Sequence, residues 1–199
     1  EGTAESITPR IYQTALGIGT QEMIELGEAG KLIPMYEAIV GRKDAIRLKN
    51  IHGWTLSEVA KYIESHNPFM VITDMTGRIR LGGAGSGKSD IDKVEAVWDG
   101  MRTLAAPTMS NFIHFGSAQI SAEGKNMMYP PLSALQNSKT GIQTTLDLGL
   151  WIGYPQDSQG TPEEFIRGIS TAKNKLPVMG ESNYIKCEVE FNPHKNTWL

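Results

Sequence analysis

One run of residues matches the letters of a phosphate-binding loop. Residues 82–89 read GGAGSGKS and fit the pattern G-x-x-x-x-G-K-S, in which backbone N–H groups and a lysine cradle nucleotide phosphates. That chemistry also needs a buried strand leading into the loop and a helix N-terminus that is open to phosphate. The preceding residues 78–81 contain two arginines, and Asp90 and Asp92 place carboxylates where the phosphates would lie. We therefore interpret the run as a glycine- and serine-rich loop leading into a serine-capped helix.

A second run ends in an acid of the type that organises a metal ion. Residues 69–74 read FMVITD, an apolar, β-rich stretch that predicts a buried strand with Asp74 at its carboxyl end. Parallel sheets bind their ligands at this edge. A carboxylate held there can bind a water molecule of Mg²⁺, so Asp74 is our candidate metal residue. The alternative for Asp74 is an ordinary strand-end aspartate that caps a turn.

These residues lie in a segment in which predicted helices and strands alternate. Thr55 and Glu58 have the spacing of a capping box and begin a helix that ends before Pro68, where the apolar strand follows. Ser89 caps the next helix, and residues 111–120 then predict a second buried strand. This order of elements predicts an α/β fold with a largely parallel sheet and helices on its faces.

The two ends of the chain follow other patterns. Predicted helices at residues 8–16 and 20–30 come before any clear strand, and Thr8 with Pro9 marks the first turn of the first one. The helix-poor C-terminal part contains three further predicted strands, at residues 146–153, 165–172 and 184–191. These strands predict an antiparallel addition at the edge of the sheet.

The composition indicates one globular domain over residues 1–199. A chain of 199 residues suffices for one sizeable core and is short for two. The single cysteine, Cys187, excludes a disulfide framework, and the four histidines are too scattered for a zinc site. A net charge of -3 provides no overall basic field, so nucleic-acid contacts would depend on local lysines and arginines. No apolar run is long enough for a membrane span, and a reducing, cytoplasmic setting fits best.

Several short motifs carry a resemblance when they are read in order. They are Glu1-Gly2, residues 7–13 (ITPRIYQ), the strand 69–74, residues 117–121 (SAQIS), 137–141 (NSKTG), 172–175 (AKNK) and the terminal 197–199 (TWL). Together they resemble the ATPase domain of the DnaB-like, bacteriophage gene 4-type hexameric helicases, especially its phage relatives. The resemblance covers essentially the whole chain, and the order and spacing of the motifs carry its specificity.

The resemblance implies a fold, cofactors and partners. The fold is a RecA-like P-loop NTPase core with a mostly parallel sheet, flanking helices and antiparallel strands at the C-terminal end. The cofactors are ATP and Mg²⁺, and the partners are single-stranded DNA and other copies of the chain in a ring hexamer, in a phage-infected bacterial cytoplasm. It also implies that the first strand and the true phosphate loop lie upstream of Glu1, so we expect the chain alone to bind ATP poorly and to be inactive.

The resemblance assigns catalytic roles residue by residue. Asp74 would be the Walker B acid, and Gln119 would sense the γ-phosphate at the end of the next strand. Glu1 would orient the attacking water, with Glu5 as a less favoured candidate.

Two lysines would act across a subunit boundary. Lys173 and Lys175 fall where the family places a lysine and an arginine finger that reach the neighbouring subunit's nucleotide. The finger position here is Lys175, which lacks the bidentate guanidinium fork, so either the contact is weaker or an arginine such as Arg167 supplies it.

Residues 121–142 correspond to loops that face the central channel of such motors. Lys125 and Lys139 would meet DNA phosphates there, with Asn137 as a neutral donor. Three other functions stay open: another RecA-type ATPase in recombination or regulation, a small P-loop kinase or GTPase that uses residues 82–89, and a non-catalytic nucleic-acid-binding or assembly module. Only the motifs at 137–141 and 172–175 favour a helicase over the first of these.

Overall fold

The computed structural model describes residues 4–42, 44–83, 87–135, 141–154, 165–176, 179–180 and 182–198. Its contacts group into two compact units. The first unit comprises Glu1–Asn50, Asp157–Arg167 and Glu188–Leu199, and the second comprises Ile51–Gln156 and Gly168–Cys187. The single domain expected over residues 1–199 stays a prediction.

The elements confirm the predicted α/β class. The helices of the described residues are α1 (Ala4–Leu16), α2 (Thr20–Glu28), α3 (Leu32–Val40), α4 (Leu56–His66), α5 (Asp90–Ala105) and the short α6 (Gly141–Thr145). The strands are β1 (Met70–Thr73), β2 (Ile113–Gly116), β3 (Leu148–Gly153), β4 (Ile166–Asn174), β5 (Lys186–Asn192) and β6 (Thr197–Trp198). Strands β1 and β2 form a parallel pair, and β3-β4-β5-β6 form the second sheet in that order. In this second sheet, β3 pairs with β4 and β5 pairs with β6 in antiparallel register. The C-terminal strands are therefore antiparallel as predicted, but in the described residues they form a sheet of their own rather than an addition at the edge of the parallel one.

In the first unit, α1 packs against α2 and α3. Tyr12 and Tyr36 meet edge to face with ring centroids 4.9 Å apart. Gln13, only 5% exposed, donates to Thr20 Oγ1 at 3.0 Å and accepts from Asn196 Nδ2 at 2.8 Å. Helix α1 starts at Ala4, earlier than the predicted residue 8, so Pro9 lies inside the helix rather than in its first turn.

In the second unit, helices α4 and α5 cover one face of the parallel pair. Both helices begin with the predicted side-chain caps. Thr55 and Glu58 form a capping box at α4, and Ser89 and Asp92 form another at α5. One core cluster joins these helices to the strand region and contains Val59, Ile63, Ile79, Val97, Met101 and Phe112. A second cluster contains Trp98, Leu135, Ile142 and Trp151.

The prediction that the run at residues 69–74 forms a buried strand was right about the strand and wrong about its burial. Strand β1 exists, and Met70 pairs with Ile113 through to Thr73 with Gly116. Met70 is 41% exposed and Ile72 is 74% exposed, because the face that they share is covered by none of the described residues. Phe69, which directly precedes the strand, is 77% exposed. The predicted strand 111–120 is also shorter and ends at Gly116.

No helix among the described residues is both long and apolar enough to span a membrane.

Candidate functional site

The carboxyl ends of β1 and β2 bring two polar side chains together. Asp74 directly follows β1 and Ser117 directly follows β2, and the parallel register places both at one edge. Ser117 Oγ donates a hydrogen bond of 2.7 Å to Asp74 Oδ1, across 43 residues of sequence. Both side chains are exposed to solvent. The edge therefore presents an accessible carboxylate that is held from one side.

The turn after Asp74 is built around Ser117. Met75 adopts left-handed backbone angles (φ 56°, ψ 60°), and its N–H donates to Ser117 Oγ at 2.7 Å. Thr76 N donates to Ser117 O at 3.1 Å, and Ser117 N donates to Thr73 O at 3.0 Å. Residues on both sides of Asp74 are thus bonded to one serine of the neighbouring strand.

A buried polar network supports this turn from beneath. Thr73 Oγ1 lies 2.7 Å from Thr76 Oγ1 and 2.8 Å from His114 Nε2. Thr73 and Thr76 are 4% and 0% exposed, so their hydroxyls satisfy one another and the imidazole rather than water. Burial lowers the pKa of His114, which favours the neutral ring in this network.

Gly116 allows the end of β2 to pack tightly on the core. A Cβ at this position would lie 2.4 Å from Thr76 Oγ1 and 2.6 Å from Trp98 Cη2. Both distances are far below van der Waals contact, so only glycine fits without movement of Trp98 or the turn. The position of Ser117 therefore depends on its small neighbour.

Gln119, the predicted phosphate sensor, lies beyond the end of β2 and is exposed. Ser117 occupies the position directly after the strand instead. The sequence prediction missed Ser117 because the strand predicted over residues 111–120 ran through it. A signal was present, since Ser117 is a small polar residue at the carboxyl end of the largely apolar residues 112–116, as Asp74 is at the end of the first run.

The N-terminus of α5, next to residues 82–89, is capped by its own side chains. Ser89 Oγ accepts from Asp92 N at 3.2 Å, and Asp92 Oδ2 accepts from Ser89 N at 3.3 Å. Asp90 pairs with Lys93 at 3.0 Å, also in the first turn. Two of the amide groups that a phosphate would use are therefore occupied, and two carboxylates stand beside them. Residues 84–86 lie outside the described part of the chain.

Lys173 and Lys175 contact the last turn of α6. Lys173 Nζ donates to Gln143 O, and Lys175 Nζ donates to Thr144 O at 2.8 Å. Positive charge is stabilised at a helix C-terminus, where carbonyl groups lack helical partners. Burial, followed by the neighbouring charges of Lys175 and Arg102, lowers the pKa of Lys173. Both lysines thus have partners within their own chain.

Arg102 completes this cluster. It donates to Thr145 O, and its second amino group pairs with Asp147 Oδ1 at 2.9 Å. Lys175 lies 3.7 Å from the same carboxylate. Three cations of α5 and the β4 region therefore hold the end of α6.

The remaining predicted site residues are dispersed. Lys125 is exposed and follows a short 3₁₀ turn, Ala122–Gly124. It lines a cavity of about 240 Å³ with Ser121, Met127 and Tyr154 among its neighbours. Glu1, Asn137 and Lys139 lie outside the described residues.

The site at Asp74 fits a magnesium ion that is held through water. Asp74 supplies one hard carboxylate oxygen, Oδ2, that has no protein partner among the described residues, and Mg²⁺ is commonly bound by one carboxylate, waters and substrate phosphates. No group of three or more acidic, histidine or cysteine side chains in the described residues is placed to enclose a metal ion. The arrangement suits a cation that arrives with a phosphate ligand.

Comparison with known proteins supports the fold. No protein-family model matches the sequence, and no curated protein matches it either. The structure is similar to that of a DnaB-like replicative helicase solved in a study of its interactions with primase, with a TM-score of 0.72 and 16% identity. It is also similar to a second solved structure, that of an ATPase domain, with a TM-score of 0.71 and 16% identity.

These likenesses extend over 100% of this chain in both cases. The chain spans 49% of the replicative helicase chain and 71% of the chain in the second structure. The predicted RecA-like fold of helicase ATPase domains is therefore confirmed.

Proposed function

We propose that this chain is part of an ATP-dependent ring helicase motor that translocates on single-stranded DNA in phage-type replication. One observation carries the proposal. The carboxyl edge of the parallel pair holds Asp74 and Ser117 together, in a fold shared with helicase ATPase domains. In parallel α/β sheets this edge is where ligands bind.

In this proposal, Asp74 binds a water molecule of the magnesium ion through its unbonded carboxylate oxygen. Mg²⁺, when bound, neutralises charge that develops on the β- and γ-phosphate oxygens of ATP. Gln119, exposed beyond β2, contacts the γ-phosphate as a neutral hydrogen-bond donor. Glu1 orients the attacking water as a carboxylate base.

The proposed contact to a neighbouring subunit involves Lys173 and Lys175. Each lysine already donates one of its three ammonium hydrogens to a carbonyl of α6, so the remaining donors are the ones left for a nucleotide outside its own chain. A ring of copies would place each pair of lysines beside the next subunit's site, and Lys125, Asn137 and Lys139 would contact the DNA backbone.

The run at residues 82–89 has no phosphate-binding role in this proposal. The capping box of Ser89 and Asp92 and the carboxylate of Asp90 oppose a triphosphate at the start of α5. A kinase or GTPase built on Lys88 would need this helix end to be open.

Titration of a fluorescent ATP analogue tests the proposal. The chain is titrated with Mg²⁺ and with EDTA, alongside the variants Asp74→Asn and Lys88→Ala. We expect weak binding that strengthens with Mg²⁺, a loss of about tenfold or more of the Mg²⁺ effect in Asp74→Asn, and no change in Lys88→Ala. Micromolar, Mg²⁺-dependent binding that disappears in Lys88→Ala would instead support the kinase or GTPase.

A further inference from the structure

We infer that Ser117 is a positioning residue that orients the Asp74 carboxylate toward its cation. The inference rests on the proposed role of Asp74. Ser117 itself does not touch the nucleotide or the metal; it acts by fixing one carboxylate oxygen and leaving the other for the cation's water shell.

The hydrogen of the Ser117 hydroxyl has a defined direction. A serine hydroxyl has one hydrogen to donate and lone pairs to accept with. Because Met75 N–H already donates to Ser117 Oγ at 2.7 Å, the oxygen is the acceptor in that bond. The hydrogen is then available for Asp74 Oδ1, which lies at 2.7 Å and which as a carboxylate can only accept. Both bonds have the short distance typical of good geometry or charge assistance.

The backbone of Ser117 is held as firmly as its side chain. Its N–H donates to Thr73 O at 3.0 Å, and its carbonyl accepts from Thr76 N at 3.1 Å. Thr73 and Thr76 are buried and bonded to each other, so the platform beneath the serine is part of the core. Ser117 therefore connects the exposed Asp74 carboxylate to the rigid backbone of the strand pair.

Without this bond, Asp74 would have no fixed orientation. It is an exposed side chain, and Ser117 is its only hydrogen-bond partner among the described residues. An exposed carboxylate loses rotamer freedom when it binds a cation, and a pre-existing bond reduces that loss. Removal of the hydroxyl would also leave Met75 N–H unpaired and free to compete for the carboxylate. We therefore expect the cation affinity, rather than the fold, to depend on Ser117.

The experiment separates positioning from structure. Mn²⁺ is titrated against the 199-residue chain at a fixed concentration of a fluorescent ATP analogue, and the half-saturating Mn²⁺ concentration is measured. The analogue is also titrated in EDTA, and thermal melting is recorded without cation. The variants are Ser117→Ala, Ser117→Thr, which retains the hydroxyl, Asp74→Asn, and Ser57→Ala, which removes an exposed hydroxyl from α4 as the control.

The expected result is an increase of about tenfold in half-saturating Mn²⁺ for Ser117→Ala, as measured for partners of metal-binding side chains. Binding in EDTA stays unchanged, Ser117→Thr restores the cation response, and Ser57→Ala matches the unmodified chain. A normal Mn²⁺ response in Ser117→Ala, beside a lost response in Asp74→Asn, overturns the role of Ser117 and leaves the proposed function standing. A change confined to melting or to binding in EDTA also overturns it, since the serine is then structural.

A different result would reject the proposed function itself. If Asp74→Asn retains the cation response of the unmodified chain, Asp74 does not organise the cation. The inference about Ser117 then fails with it.

Discussion

At the scale of single residues, the candidate site depends on close packing behind an exposed edge. Asp74 and Ser117 face solvent, but the residues that hold them are buried or bonded to buried groups. Gly116 precedes Ser117 and lies against Trp98 and Thr76, where a side chain has no room. The geometry of the edge is therefore sensitive to residues that never contact a ligand.

Gly116→Ala should destabilise the protein by about 1–3 kcal/mol, because its Cβ would overlap Trp98 and Thr76 and the core must shift. Urea unfolding measures the free-energy difference. Gly27→Ala in α2 is the control, since a Cβ there meets nothing within 4 Å and alanine is favoured over glycine by up to about 1 kcal/mol inside a helix. Equal stability of the Gly116→Ala variant and the unmodified chain would contradict the close packing.

The buried imidazole of His114 predicts a pH dependence of stability. Its pKa is lowered in the folded state by burial, so the unfolded chain binds a proton more readily than the folded one. Stability should therefore fall as the pH drops below about 6.5, the ordinary histidine pKa, and continue to fall until the folded-state pKa is passed. Above that window the imidazole is neutral in both states and adds no pH dependence.

Urea unfolding from neutral to mildly acidic pH measures this dependence. His114→Gln, which keeps a polar group near Thr73, should lose less stability over this range. Hydrogen bonds from Arg47 and Thr55 lower the pKa values of Asp44 and Glu58, whose contributions are lost at more acidic pH. Parallel curves for His114→Gln and the unmodified chain would exclude His114 as the source.

At the scale of elements, the parallel pair has two unlike faces. On β1, Val71 packs against the first core cluster and Thr73 is buried, whereas Met70 and Ile72 alternate with them and remain 41% and 74% exposed. On β2, Phe115 lies beside Ile72 and is 49% exposed. The apolar run predicts the strand, but only one of its faces contributes to the core of the described residues.

Because one face is exposed and the other is buried, substitutions on the two sides should change the free energy of unfolding by different amounts. Ile72→Thr should change the free energy of unfolding by less than about 0.5 kcal/mol, because the side chain is largely exposed and threonine suits a strand. Met101→Ala should cost about 2–5 kcal/mol, because Met101 is 0% exposed within the first core cluster. Chemical denaturation of both variants measures these changes in the free energy of unfolding. A large loss of stability in Ile72→Thr would show that this face is covered in solution.

At the scale of the whole molecule, charge limits how nucleic acid can bind. The net charge of -3 supplies no general attraction for phosphate, so the proposed binding of single-stranded DNA would depend on a few local cations. Lys125 is exposed and has no ion-pair partner among the described residues. Lys173 and Lys175, in contrast, are bonded to α6.

Binding of single-stranded DNA should weaken with salt, and the slope of log affinity against log salt should fall by about 0.7 in Lys125→Gln, the value for one phosphate contact. Fluorescence anisotropy at several salt concentrations measures the slope. Lys61→Gln, at an exposed position of α4, should leave it unchanged. An unaltered slope in Lys125→Gln would remove Lys125 from the proposed DNA-binding residues.

The features that could be predicted from the sequence are local ones. The capping boxes at Thr55 and Ser89, the strand that leads to Asp74 and the antiparallel C-terminal strands follow from residue type and spacing over a few positions. Contacts between residues only a few positions apart can be predicted from the sequence, because a helix cap or an alternating strand pattern needs only neighbouring residues. The order of the motifs along the chain also predicted the RecA-like fold, which the structural comparisons confirm.

Only the tertiary structure decided which distant residues meet and which faces are covered. Ser117 reaches Asp74 because β1 and β2 pair in one register, and nothing in either segment alone states that register. The attachment of Lys173 to α6 likewise joins residues 30 positions apart. The exposure of Ile72 reflects the number of strands and layers around it, which an apolar run cannot specify, since burial is a property of the surroundings rather than of the segment.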